Sequence, residues 1–308
     1  MKALMGVCGI NKRAVNSEDV VFGLPPRLNS AGMVDHASLA VELLITKSMD
    51  DAGQIANSLN RMNRKRRSVE TEMMAQIEDH LKVNPSLLGK NTLVLAHPDW
   101  HLGILGIVAS RVVKKYCCPV VLITTADGVG RGSARSISGV NLYDGLCACA
   151  GDLENFGGHS MAAGLKIKTE KIERFESKFE NFVGDITKPD DFIPKITIDY
   201  ELPFDDISEG LIDEIESLNP FGTGNPEPIF MARNITVVSW KIVGKHHRRM
   251  QLKQSGGNSG NTFHAIHFND STGIPVKQGF DRIAFRLRWN RWNDRKTAQI
   301  IIEEIETR

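Results

Sequence analysis

Apolar positions recur through the first half of the chain at helical spacing. Between Asp50 and Leu81, residues Ile55, Leu59, Met62, Val69, Met73, Ile77 and Leu81 keep to one helical face and no proline intervenes, so one long helix is predicted. Before it, residues 1–46 read as short helices around a Pro25-Pro26 turn, with Leu39, Val41, Leu43 and Leu44 on an amphipathic helix. From Asn91 the pattern alternates: strand Thr92 to Ala96, helix Ile104 to Tyr116, strand Val120 to Thr124, a Gly-rich strand, helix Leu142 to Cys149, strand Gly164 to Ile167 and helix Lys171 to Val183. Such alternation predicts an α/β domain with a central sheet. After Thr187-Lys-Pro-Asp-Asp191 the period falls to two, over 195–200, 229–232, 235–243, 250–253, 262–267, 281–289 and 297–302. One helix, Ser208 to Leu218, and a Ser-Gly-Gly-Asn-Ser-Gly turn at 255–260 interrupt these strands. The strand count suits a small all-β barrel of OB-like type. Four segments are therefore expected: a helical 1–46, a connecting helix in 47–86, an α/β domain over 87–188 and an OB-like domain over 189–308.

Candidate chemistry concentrates in two segments of the α/β region, Gly130-Arg-Gly-Ser-Ala-Arg-Ser136 and Phe156-Gly-Gly-His-Ser-Met-Ala-Ala-Gly164. On an extended strand Arg131, Ser133 and Arg135 share one face, and Gly132 and Ala134 take the other. Planar guanidinium forks and hydroxyls, with Ser136 as the second, suit phosphate oxygens. The glycines would let the backbone approach a ligand closely, and Gly157-Gly158 would deliver His159 on a turn. Each segment alone also reads as an ordinary surface turn or a satisfied imidazole; it is their pairing that points to a grip for phosphate.

The barrel interleaves Arg286, Arg288, Trp289, Arg291, Trp292, Arg295 and Lys296, and an earlier hairpin carries Lys245-His-His-Arg248-Arg249. Cations for phosphates and aromatics for bases are the ingredients of sequence-tolerant single-strand binding. Trp289 and Trp292 do not share a strand face, so at least one is expected in the core. On the long helix, Arg61, Arg64, Lys65, Arg66 and Arg67 suit either a nucleic-acid backbone track or a solvated face paired with Glu70 and Glu72. His97-Pro-Asp-Trp-His101 lies at a strand's carboxyl end, where open α/β sheets collect ligands, but it offers only one carboxylate. A structural or substrate-adjacent role is expected there.

Charge adds little at first sight: 38 Lys and Arg against 37 Asp and Glu leave a formal net charge of +1. Local clusters rather than global basicity would have to bind nucleic acid. Cys8, Cys117, Cys118, Cys147 and Cys149 make neither a disulfide framework nor a Cys-x-x-Cys pair, so reduced thiols and no metal site are expected. With no long apolar run and no charged-then-apolar leader pattern, a cytoplasmic protein without a membrane partner is expected.

The ordered set His97-Pro-Asp-Trp-His101, Gly103 to Arg111, Pro119 to Ile123, Gly130 to Ser136 and Phe156-Gly-Gly-His159 resembles the DHH-associated domain of the RecJ family of single-strand-specific exonucleases, within the DHH phosphoesterases. The resemblance extends to Pro26-Arg-Leu-Asn-Ser-Ala-Gly32 and Asp35-His-Ala-Ser38 upstream, and to Pro220-Phe-Gly-Thr-Gly-Asn-Pro-Glu-Pro228, similar to the opening of that family's third domain. It implies 5′ to 3′ exonuclease ancestry in DNA repair and recombination. It further implies that Ser133 and Arg135 hold the terminal phosphate or nearby backbone, that Arg27 is another phosphate contact, and that Gly157, Gly158 and His159 face a metal centre. The family's Asp-His-His motif, whose domain holds Mn2+ or Mg2+, does not occur in this sequence. The chain is thus expected to match the C-terminal half or more of such a protein, from a split, truncated or mis-started gene, and to be inactive unless a separate chain supplies the metal-bearing domain. Single-stranded DNA, that chain and a single-strand-binding protein are the implied partners; the alternative is a non-catalytic binding module or a decaying fragment. Met33 stands where the family commonly has an arginine after Ala31-Gly32, removing one cation from the expected groove.

Overall fold

In a computed structural model the chain is described over residues 1–10, 15, 17, 19–244, 246–256, 260–268, 270, 279–292 and 295–307, the side chain of Trp292 excepted. Lys245 and part of the 255–260 turn lie outside the described residues. Two compact units result, Met1–Pro194 and Lys195–Arg308.

The first unit is organised by the long helix. Short helices α1 (Lys2–Val7), α2 (Pro25–Val34) and α3 (Ser38–Ile45) precede α4 (Met49–Val83), which Ser48 caps by accepting from the Asp51 N–H at 3.2 Å. Pro25 and Pro26 form the first turn of α2, where a missing N–H costs nothing. The first half of α4 buries Ala52, Ile55, Ala56 and Leu59 against Leu4, Leu24, Ala31 and Leu43. Its second half buries Met73, Ile77 and Leu81 against the α/β sheet. α3 is less simply amphipathic than the pattern suggests. It packs on α4 through Leu43, while Val41 and Leu44 on its other side stay exposed.

A five-stranded sheet follows, in order β1-β2-β3-β5-β4: β1 (Leu93–His97), β2 (Val120–Ala126), β3 (Val129–Arg135), β4 (Leu153–Gly158) and β5 (Ala162–Lys168). β1 and β2 pair in parallel through the crossover helix α5 (Leu105–Tyr116), and the other pairs are antiparallel. α5 and α4 cover β1 and β2 on one face. α6 (Leu142–Ala148) and α7 (Ile172–Ile186) cover the opposite face with Leu142, Leu146, Phe175, Phe179 and Val183. β3 buries Gly130, Gly132 and Ala134 on that second face and turns Arg131, Ser133 and Arg135 to the first, as the alternation predicts.

Two local readings need correction. Gly130 and Gly132 do not face a ligand; a Cβ at either would run into Ile123, Ile167 or Leu165, so both are small to let the sheet pack. Phe156-Gly157-Gly158 is the end of edge strand β4 rather than a turn, with Gly157 opposite Gly164, and the chain reverses only at His159 to Met161.

The second unit begins with a two-residue strand β6 (Tyr200–Glu201) and helix α8 (Glu209–Ser217), capped by Ser208. Then come β7 (Phe230–Val243), β8 (His247–Gln254), β9 (Thr262–His267), β10 (Phe280–Trp292) and β11 (Arg295–Glu306). β7 joins two segments that the sequence pattern separated, and a bulge between Val237 and Ser239 marks where the alternation shifts. The order β7-β8-β9-β11-β10 closes by β10 pairing with β7, and β9 runs parallel to β11. This is the five-stranded Greek-key closure of an OB fold. Phe204, Phe230, Met250, Leu252, Ala265, Phe285, Leu287 and Ile300 fill it.

Candidate nucleic-acid interface

In the first unit the site is built on the first face of β3. Arg135 does not extend outward from the strand end. Its Nη1 donates to Ser133 Oγ at 3.0 Å and to the Ala134 carbonyl at 2.8 Å, folding the guanidinium back along β3 against α5. The contact on α5 is Gly106, where a Cβ would stand 2.6 Å from Arg135 Nη2 and 3.2 Å from Ser133 Oγ. No side chain caps the first N–H groups of α5, so a positive helix end adjoins a hydroxyl and a guanidinium. Partial burial lowers the Arg135 pKa from its usual value without threatening its charge. Together these groups form a compact cluster of hydrogen-bond donors of the kind that suits an anionic oxygen.

Around this point the same face of β3, β5 and β4 carries small or cationic residues. Gly164 lies beside Ser133 and Gly157 beside Gly164; one step along, Lys166 lies beside Arg131 and Asn155 beside Lys166. Arg131 is exposed, and Lys166 pairs with Glu154 at 2.9 Å. At the Arg135 end, the His159 N–H donates to the Ala162 carbonyl at 2.8 Å and the imidazole is exposed. Gly158 must be glycine here: its φ is +148° and a Cβ would meet the Ala162 carbonyl oxygen at 2.4 Å.

Other sequence candidates have different places. Ser136 is buried and donates to the Val140 carbonyl at 2.7 Å, so its hydroxyl is committed to a turn rather than to a ligand. Arg27 spends Nε on Asn60 Oδ1 at 3.0 Å and Nη1 on the Gly23 carbonyl at 2.7 Å, which pins it between α2 and α4. His97 aligns with Thr124 and Arg131, at the end of the sheet away from Arg135 and Gly158. It stacks on Trp100, whose indole donates to Gln76 Oε1 at 2.9 Å, a packing role. Among the described residues no three His, Cys, Asp or Glu side chains converge on a metal-sized space. His159 alone does not make a divalent-cation site.

In the second unit most of the basic-aromatic run is engaged within the domain. Trp289 is a core side chain whose Nε1 donates to Asp213 Oδ1 at 2.7 Å, with Lys296 Nζ 3.9 Å from its ring centroid. Its burial leaves it no face for a base. Arg288 forks onto buried Glu227, which Arg286 also reaches at 3.2 Å. Arg291 forks onto Glu216 at 2.5 and 2.6 Å, so these cations are neutralised in place. Arg248 is buried and paired with Asp270 at 2.7 Å. Arg249, the next residue, points the other way and is exposed.

Two aromatics missed by the sequence reading are accessible. Trp240 on β7 is 51% exposed and its ring lies 5.5 Å from the Arg248 guanidinium carbon. Phe268, just after β9, is 49% exposed and meets His247 edge-on at 5.3 Å. The registers Lys241–Arg249–Ile266 and Ser239–Gln251–His264 set two mostly polar rows across β7, β8 and β9, on the strand face opposite to Trp240, which pairs with buried Met250. Strands two and three of an OB barrel, here β8 and β9, present the face that such folds use for oligonucleotides.

The α/β part is a DHHA1 domain, matching that domain family over residues 89–185, and the barrel is a RecJ OB domain, matching over residues 198–304. A DHHA1 domain followed by a RecJ OB domain is the class of architecture that the fold and these matches define. Over nearly its whole length the chain resembles the RecJ family. It is similar to the single-stranded-DNA-specific exonuclease RecJ of Bacillus subtilis, 30% identical over 99% of this chain and 39% of that protein. The RecJ of Haemophilus influenzae is 33% identical over 99% of this chain and 54% of its own length. The fold resembles that of RecJ from Thermus thermophilus solved with Mn2+, with a TM-score of 0.82 and 22% identity, covering 100% of this chain and 44% of that one. The chain thus spans about half or less of the length of these curated relatives.

Proposed function

We propose that this chain is the substrate-gripping part of a RecJ-type 5′ to 3′ single-stranded DNA exonuclease. The first unit holds the 5′-terminal phosphate, and the OB domain holds strand further along. The observation that carries the reading is Arg135 folded onto Ser133 against the uncapped start of α5, with Gly106 leaving the space. Arg131, Gly157, Gly158 and His159 border that pocket, Arg249 supplies phosphate contacts on the OB face, and Trp240 and Phe268 supply surfaces for bases. The single-stranded-DNA specificity of the RecJ relatives supports the substrate class. RecJ structures solved with Mn2+ and Mg2+ support a divalent cation for the complete enzyme, held outside the residues described here.

A binding comparison tests this. The purified chain should bind 5′-phosphorylated single strands more tightly than 5′-hydroxyl strands, and Arg135→Ala should remove that preference. Equal weakening for both kinds of end would sink the end-phosphate role. With manganese the chain alone should release no mononucleotides, and a metal-bearing DHH domain added as a separate polypeptide should restore release. Release by the chain alone would overturn the division of labour.

A further inference from the structure

The middle of α4 presents an unexplained charge pattern. Arg61, Arg64 and Lys65 fall on one side of the helix, opposite Leu59, Asn63, Glu70 and Met73, and all three are exposed. At three- and four-residue spacing from each of them stand only Asn57, Ser58, Asn60, Met62, Arg67, Ser68, Val69 or one another. Among the described residues no carboxylate pairs with Arg61, Arg64, Lys65 or Arg67; Arg61 donates only to Ser58 Oγ, at 2.8 Å. Like charges at this spacing destabilise a helix by about 0.2–0.5 kcal/mol per pair.

The two acids the sequence offered do not relieve this. Glu70 is fully buried and spent on the other side: Arg66 Nη1 reaches it at 3.0 Å and Arg111 Nε of α5 at 2.5 Å, while Arg66 also donates to Asn63 Oδ1 at 3.1 Å through Nη2. Glu72 makes no ion pair with the cluster. Between Leu59 and Met73 the buried positions are polar, Asn63 and Glu70, with Met62 and Val69 only partly buried, and the side that carries the cations stays open.

We infer that Arg61, Arg64 and Lys65 form a second polyanion contact, which takes the sugar-phosphate backbone of the single strand whose end the Ser133–Arg135 pocket holds. This rests on the function proposed above. Connectivity within the first unit supports it. Gly106, against Arg135, and Arg111, bonded to Glu70, are five residues apart on α5, and Glu70 is five residues from Lys65 on α4. Each step is roughly 7–8 Å of helix, and the cluster lies round α4 on the side away from Glu70, so a strand leaving the pocket must run several nucleotides past α5 and around α4 to reach it. The Glu70–Arg111 pair fixes the buried side of this segment against α5, which turns the cations outward.

Salt dependence reads the contact directly, because each phosphate neutralised on a single strand adds about 0.7 to the slope of log affinity against log salt. With the full chain and a 5′-phosphorylated oligothymidylate, replacing Arg61, Arg64 and Lys65 together by Gln should lower that slope by about 2, and Arg64→Gln alone by about 0.7. A 5′-phosphorylated dinucleotide, too short to reach α4, should bind the triple variant as it binds the unaltered chain. Thermal stability should hold or rise, since repulsion is removed. An unchanged slope in a chain that still binds the long strand overturns the inference and leaves the end-phosphate pocket standing. Equal loss for dinucleotide and long strand overturns it too, by showing damage to the pocket. If the unaltered chain binds neither, the proposed function itself fails.

Discussion

Arg135 Nη2 occupies the space that a methyl group on Gly106 would need, 2.6 Å from where that carbon would stand. Gly106→Ala should therefore displace the guanidinium without touching a charged residue. The expected loss of 5′-phosphate preference is about tenfold, the size of one charge-assisted hydrogen bond at roughly 1.5 kcal/mol. Titrations with phosphorylated and unphosphorylated strands measure it, and an unchanged preference would show that Gly106 only packs.

The OB cations divide into two kinds by partner. Arg249→Ala should weaken single-strand binding and reduce its salt slope while leaving the melting temperature near that of the unaltered chain. Arg288→Ala should act through stability, by about 1–3 kcal/mol, because it strips a partner from buried Glu227. Denaturant titration and anisotropy on the same two proteins would separate the effects.

Asp152 shows how an ion pair sets acid sensitivity in the first unit. Lys178 at 2.7 Å and Arg174 hold its carboxylate below the usual value of 3.8. A depressed folded pKa stabilises fully above the unfolded value and is lost as pH falls through the folded one. Asp152→Asn should therefore lower the melting temperature at neutral pH, and the gap to the unaltered chain should close as pH drops below 3.8. A gap independent of pH would mean the loss is packing alone.

The thiols should react in a fixed order. Burial pushes Cys118 up to about 12 and Cys149 up to about 11, so both are protonated at neutral pH, whereas Cys147 is exposed. Under native conditions a thiol reagent should modify Cys147 well before Cys118 and Cys149, and peptide mapping would show the order.

Periodicity made most of the fold legible, since α4, the α/β alternation and the barrel strands each bury one side of a regular pattern. β4 was not legible, because an edge strand ending in Gly157-Gly158 looks like a turn until Gly164 pairs with it. In the site, the alternation on β3 revealed Ser133 and Arg135 correctly placed on one face, but it could not reveal Gly106, whose role depends on a helix packing across the strand. The arginines of β10 misled for a related reason. Glu227, Glu216 and Asp213 lie far from them in sequence, and only the closed barrel and α8 bring these acids to the cations. Trp240 gave no signal because a bulge three residues earlier alters the alternation.

The helix that bears the cationic cluster also anchors two hydrophobic clusters, Leu59 and its neighbours near one end and Ile77 and Leu81 near the other. At 35 residues, about 52 Å, it is a single hydrogen-bonded ladder shared by both. The helix is the wall of both clusters, through Ala52 to Leu59 in one and Met73 to Leu81 in the other. If that ladder stays closed through its middle, the amides of the small N-terminal helices should exchange at the opening free energy of the α/β sheet, which native-state hydrogen exchange on both would read.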